Sequence, residues 1–263
     1  MSSAAEFRGF FSGGGTGECV AGKSTCGERA AESHITIVAE AGTAHQGSLE
    51  AARELIAAAR DAGADAIKFQ AVFADEIVHP KVGSIELPGG FTDIYTRFKN
   101  LEQPPEFYRS LKEESERAGL RFLCSAFGPG SVSILLDIGV EWIKIASPEL
   151  NHYRLLSQAS TKPLVLSTGV STLADIEESL AFLRLPDRPT PPLCLLHCVT
   201  SYPAPEEEYN LRLIPLLSGI FAVPAGLSDH SRDPVLVPVR GAAVGAVLIE
   251  KHLTLSADTG GLD

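Results

Sequence analysis

The chain has 263 residues and 44% hydrophobic side chains, enough for one large α/β barrel or two small domains. Its formal net charge of −11 argues against nucleic acid or an anionic membrane as a partner, so an anionic ligand would need a local pocket of cations. No stretch is apolar enough to span a bilayer or to form a signal-peptide core, and the sequence reads as cytoplasmic.

Residues 1–33 are rich in Gly, Ser and Ala without an apolar period, which predicts a flexible tail ahead of one domain over 34–263. Inside that tail GECVAGKS (17–24) fits the phosphate-loop pattern G-x-x-x-x-G-K-[ST]. A working loop of that kind follows a buried strand, whereas SGGGT precedes this one, so the match is read as coincidence. Cys124, Cys194 and Cys198 sit in apolar runs and read as buried reduced thiols. Cys19 and Cys26 have neither metal spacing nor a partner His.

From His34 onward short apolar runs alternate with amphipathic segments. The runs are ITIVAEAG (35–42), ADAIKFQ (64–70), RFLCSAF (121–127), EWIKIAS (141–147), PLVLSTG (163–169), LCLLHCV (193–199), FAVPAGLSD (221–229) and AVLIEKHLT (246–254). Nearly continuous apolar runs suit parallel strands covered on both faces. Helical patterns fall at Leu49–Ala62, Pro105–Ala118, Ser131–Ile138, Leu173–Leu183 and Val235–Val244, with Thr172 as an N-cap. Eight strands with intervening helices predict a (β/α)8 TIM barrel. An open doubly wound sheet is the alternative, but it would scatter the polar residues found at the strand ends, which a barrel gathers into one mouth. The stretch between Gln70 and Pro105 is long enough to fold over that mouth as a lid. Only SADTGGLD follows the eighth run, so the eighth helix is expected to be missing and the exposed seam to favour a homodimer.

The strand ends carry the chemistry. His197 and His230, on neighbouring strands, could share a divalent metal, with Asp229 orienting His230. Lys68 and Lys144 interrupt apolar strands and should each meet an anion, either a carboxylate such as Glu40 or Glu149 or a substrate phosphate or carboxylate. Ser125 and Ser147 would add hydroxyl donors, and Gln70 and Thr168 complete the polar rim. Glu149, among cations at the lip of the fourth strand, could act as a base toward water.

VAEAGTAHQGSLEAARELIAAARDAGADAIKFQ, WIKIASPE, LVLSTGVSTLADIEESL, LLHCVTSYPAPEEEYNLR, GLSDHS and IEKHLTL stand in the order of the blocks of the sialic acid synthase family, which the chain resembles from about residue 34 to 263. The resemblance implies condensation of phosphoenolpyruvate with an N-acetylmannosamine-like hexosamine, releasing phosphate. It implies Mn²⁺, or Mg²⁺ or Co²⁺, on His197 and His230, and phosphoenolpyruvate on Lys68, Lys144, Ser125 and Ser147. Glu149 would activate water and Glu40 would position the sugar. Two positions depart from the family pattern, Ala44 in AHQG and Pro148 in IASPE. The family also continues into a C-terminal antifreeze-like domain, which this chain is expected to lack. These departures support a second expectation, a catalytically weak or inactive barrel that still binds a metal and an anion.

Overall fold

A computed structural model describes residues 34–87, 90–187 and 189–256. The expected tail over 1–33, GECVAGKS, Cys19 and Cys26 lie outside the described residues, as does the end of the chain after Ser256, on which the expected loss of the eighth helix bears.

Eight parallel strands close into a barrel. They are β1 (Thr36–Gly42), β2 (Ala66–Ala71), β5 (Arg121–Ala126), β6 (Ile143–Ile145), β7 (Leu164–Ser167), β8 (Leu193–Cys198), β9 (Ala225–Asp229) and β10 (Leu248–His252). Closure comes from β10 pairing in parallel with β1, Thr36 opposite Leu248 through Glu40 opposite His252. The helices α1 (Leu49–Asp61), α4 (Pro105–Arg117), α5 (Pro129–Asp137), α6 (Tyr153–Ala159), α7 (Leu173–Leu183), α8 (Leu213–Phe221) and α9 (Leu236–Ala243) connect successive strands. Ser48 caps α1 by accepting from the Ala51 amide at 3.2 Å. Thr172, the expected cap, forms a reciprocal capping box with Asp175 at the start of α7.

The strand pleat sorts each run into two sets. Ala39, Ile67, Phe122, Ile143, Leu164, Leu195, Leu227 and Ile249 face the helices and share one core with Leu55, Leu111, Leu135, Leu180 and Leu217. Their alternates Val38, Ala66, Leu123, Trp142, Val165, Cys194, Leu196 and Leu248 form a second cluster with no helix residue in it, which is the floor of the barrel interior. Gly226 occupies the corresponding place on β9, where a Cβ would run into the Leu248 carbonyl on β10 and Leu196 on β8. Cys124, Cys194 and Cys198 are buried free thiols, as the apolar runs required.

The stretch after β2 is structured. It holds α2 (Ala74–Ile77), an antiparallel pair β3 (Ser84–Leu87) and β4 (Gly90–Asp93), and α3 (Ile94–Leu101). Glu76 ties it to the barrel, accepting from the Gly130 amide at 2.5 Å and the Ser131 amide at 3.1 Å at the N-terminus of α5. Among the described residues no helix is long and apolar enough to cross a membrane.

Candidate active site

Above the apolar floor every strand presents its next inward residue. These are Glu40, Lys68, Ser125, Lys144, Ser167, Ser228 and Glu250, with Cys198 from β8, and all of them line one cavity of about 380 Å³ that opens at the C-terminal end of the barrel. One further step up lie Gln70, Thr200, His230 and His252. Ile77, Ile94, Arg97 and Phe98 from the excursion after β2 form the opposite wall, so the expected lid does stand over the mouth.

The polar layer is tightly connected. Lys68 Nζ lies 2.9 Å from Glu40 Oε1 and 3.5 Å from Glu250 Oε1, and it donates to Ser125 Oγ at 3.1 Å. Gln70 donates to Glu40 Oε1 at 2.9 Å, and Ser228 donates to Glu250 Oε1 at 2.9 Å. Burial pushes the Glu250 carboxyl up, but Lys144, Lys68 and the Ser228 hydroxyl outweigh that and hold it at about 2. Lys144 is 3% exposed and donates to its neighbour's carbonyl, that of Ile145, at a long 3.4 Å. It has no ion-pair partner among the described residues, and burial lowers its pKa. Ser147 is buried at the rim, its Oγ accepting from the Gly169 amide at 3.0 Å and lying 3.2 Å from Cys198 Sγ. Ser167 Oγ has no hydrogen-bond partner among the described residues and faces the cavity.

Three expected placements need correction, and one cause accounts for all of them. In LCLLHC the inward residues are Cys194, Leu196 and Cys198, so His197 points outward into the helix layer. There its Nε2 donates to the Tyr209 carbonyl at 2.5 Å, and burial lowers its pKa. Asp229 is likewise outward and fully buried, taking Lys251 Nζ at 2.7 Å and the Ser231 amide at 2.9 Å. Thr168 donates to the Leu196 carbonyl at 3.1 Å, and the inward place on β7 belongs to Ser167. Glu149 does stand at the lip of the fourth barrel strand, beside Ser147 and Pro148. It lies in a short 3₁₀ turn, Ser147–Glu149, bonded to His152 Nδ1 at 3.1 Å, and is not among the side chains lining the cavity. Burial raises its pKa and His152 opposes the shift. Pro148 starts that same turn, where a missing N–H costs nothing.

The imidazole beside His230 at the mouth is that of His252, not that of His197. Their ring centroids are 5.3 Å apart, and both line the mouth. His230 Nδ1 lies 2.7 Å from the Val199 carbonyl, which can only accept, so that nitrogen carries the proton. The Nε2 lone pair is left aimed at the cavity, 3.3 Å from Ser228 Oγ and 3.4 Å from Tyr202 Oη. Burial lowers the His230 pKa and favours the neutral imidazole that a metal requires. Among the described residues no three His, Cys, Asp or Glu side chains cluster with metal spacing. Two imidazoles would thus be the protein's share of a shell completed by water or substrate oxygens. The sequence contains a signal for His252, Glu250, Ser167 and Ser228: each is an even step from a residue that must sit in the floor.

A family model described as the NeuB family matches residues 55–263. An uncharacterised protein of Methanocaldococcus jannaschii is 38% identical over 229 residues, covering 86% of this chain and 64% of its own length. The N,N'-diacetyllegionaminic acid synthase of Legionella pneumophila is 35% identical over 240 residues, covering 86% and 66%. The chain thus spans a little under two thirds of the length of these curated relatives. Among solved structures, the N-acetylneuraminic acid synthetase of Leptospira borgpetersenii, crystallised with citrate, superposes with a TM-score of 0.78 at 33% identity, covering 87% of this chain and 76% of that one.

Proposed function

We propose, from the fact that the chain belongs to the NeuB family, that its barrel mouth condenses phosphoenolpyruvate with an N-acetyl-hexosamine aldehyde to give a sialic-type acid and phosphate. The observation that carries this reading is Lys144. A buried lysine facing the cavity, with no carboxylate within ion-pair distance among the described residues and only the field of Glu250 opposing its burial, suits an anionic ligand.

Lys144 and Lys68, with the hydroxyls of Ser125, Ser147 and Ser167, bind the phosphate and carboxylate of phosphoenolpyruvate in the polar layer. Glu40 and Gln70, already bonded to each other, orient sugar hydroxyls at the β1–β2 side. His230 and His252 fit a divalent ion, Mn²⁺ or alternatively Mg²⁺ or Co²⁺, which when bound would polarise the sugar carbonyl. The enol C3 attacks the aldehyde carbon, water adds to C2, and the C2–O bond to phosphate breaks. Glu149, at the rim with its pKa raised by burial, is the carboxylate best suited to take the proton from that water, while Glu250 inside the barrel is held ionised by Lys144 and Lys68. The wall of Ile77, Ile94, Phe98 and Phe127 keeps water off one side of the cavity.

The test is phosphate release from phosphoenolpyruvate with Mn²⁺ and a panel of N-acetyl-hexosamines, in the unaltered protein and in Lys144→Met. Turnover that falls by roughly a hundredfold or more in the variant is expected for loss of a charge-stabilising group. No phosphate release with any member of the panel, or undiminished release in Lys144→Met, would sink the proposal.

A further inference from the structure

Residues 199–209, between β8 and α8, hold His230 from several sides. The Val199 carbonyl takes its Nδ1 proton at 2.7 Å, and the Ala204 amide donates to its carbonyl at 3.1 Å. The Tyr202 ring stacks on its imidazole at 4.3 Å between centroids. The Tyr209 hydroxyl accepts from its amide at 2.6 Å. That last contact stands out because a side chain, not the backbone, supplies the acceptor. His230 is the first residue past β9, so its amide has left the strand ladder and would otherwise be buried without a partner.

Tyr209 is fully buried and is anchored at both ends. Its hydroxyl also stands beside the Asp229 carboxylate, which Lys251 holds at 2.7 Å. Its carbonyl accepts from His197 Nε2 at 2.5 Å. The hydroxyl is thus placed between the His230 amide, from which it accepts, and the Asp229 carboxylate. His197 and Asp229, which face away from the cavity, thereby connect to it through this tyrosine.

We propose that Tyr209 is the positioning residue for His230, fixing its backbone so that Nε2 points at the mouth, with His197 and Asp229 acting only through Tyr209. This inference rests on His230 being a metal ligand, as proposed above, and supporting partners of that kind change metal affinity by roughly 10–100-fold.

The experiment is direct Mn²⁺ binding, by electron paramagnetic resonance or calorimetry, on the full chain freed of metal by chelation, without substrate. His230→Ala is expected to abolish binding. Tyr209→Phe keeps the ring in the core, removes only the hydroxyl, and is expected to weaken Mn²⁺ binding by roughly tenfold or more at an unchanged circular dichroism spectrum. A merely structural tyrosine would lower the melting temperature and leave the Mn²⁺ affinity where it was. Loss of binding in His230→Ala with unchanged affinity in a folded Tyr209→Phe overturns the positioning role and leaves the metal reading standing. Full affinity in His230→Ala overturns both. Should Tyr209→Phe fail to fold, hydrogen exchange in the unaltered protein decides: a protected His230 amide supports the bond to Tyr209, and exchange at the rate of an exposed loop refutes it.

Discussion

His45 shows how one buried side chain sets a pH limit. It is 2% exposed, wedged against Phe69 and Phe107 with ring centroids 5.8 and 4.9 Å away. The Gly47 amide donates to its Nδ1 at 3.0 Å, so the proton sits on Nε2, which has no partner among the described residues. Burial lowers the His45 pKa to about 4. Between about 6.5, the ordinary value, and about 4, the unfolded chain takes up a proton that the folded one refuses. Stability from this residue is therefore complete above about pH 6.5 and declines as pH falls through that window, by about 3 kcal/mol at its lower end. His45→Phe should remove that part of the slope. Urea unfolding of both proteins at pH 7 and pH 4.5 measures the difference, and identical slopes would show that His45 is not the group responsible.

At the scale of elements, the excursion after β2 depends on Glu76. The carboxylate fills the N-terminus of α5, and a Cβ at either Gly128 or Gly130 would collide with it. Glu76→Ala should cost about 1 kcal/mol, the usual loss for a helix cap. It should also quicken proteolysis within residues 72–104 while the barrel strands stay intact. Cleavage of that stretch at the same rate in both proteins would count against the anchoring. The elements themselves were unevenly legible in the sequence. The eight barrel strands showed as apolar runs, and α1, α4, α5, α7 and α9 as helical patterns. Helix α8, LIPLLSGIF, escaped because Pro215 and Gly219 break its pattern and most of its residues are apolar, leaving no polar face to mark a period. Helix α6 is only seven residues long, too short to show one. In the site, Lys68, Lys144, Ser125 and Glu40 were legible because a charge or hydroxyl inside an apolar run is conspicuous. His197 misled for the same reason: a histidine at a strand end looks the same whichever way the pleat turns it.

For the molecule as a whole, barrel closure and site assembly depend on the same narrow contact. Gly226 lets β9 lie close to the Leu248 carbonyl of β10, and two and four residues further along these strands stand Ser228, Glu250, His230 and His252. Gly226→Ala should cost about 2 kcal/mol or more through overpacking, and thermal melting would show it as a lower midpoint. An unchanged midpoint would mean that the strands can separate locally without penalty. The two-residue alternation that puts Glu250 and His252 inside and Lys251 outside also restricts how the coding sequence can change length. Deleting one codon within β10 would exchange the two sets, turning Lys251 inward and sending His252 into the helix layer. A change of length is therefore expected to be tolerated in the segments between strands and not within β10.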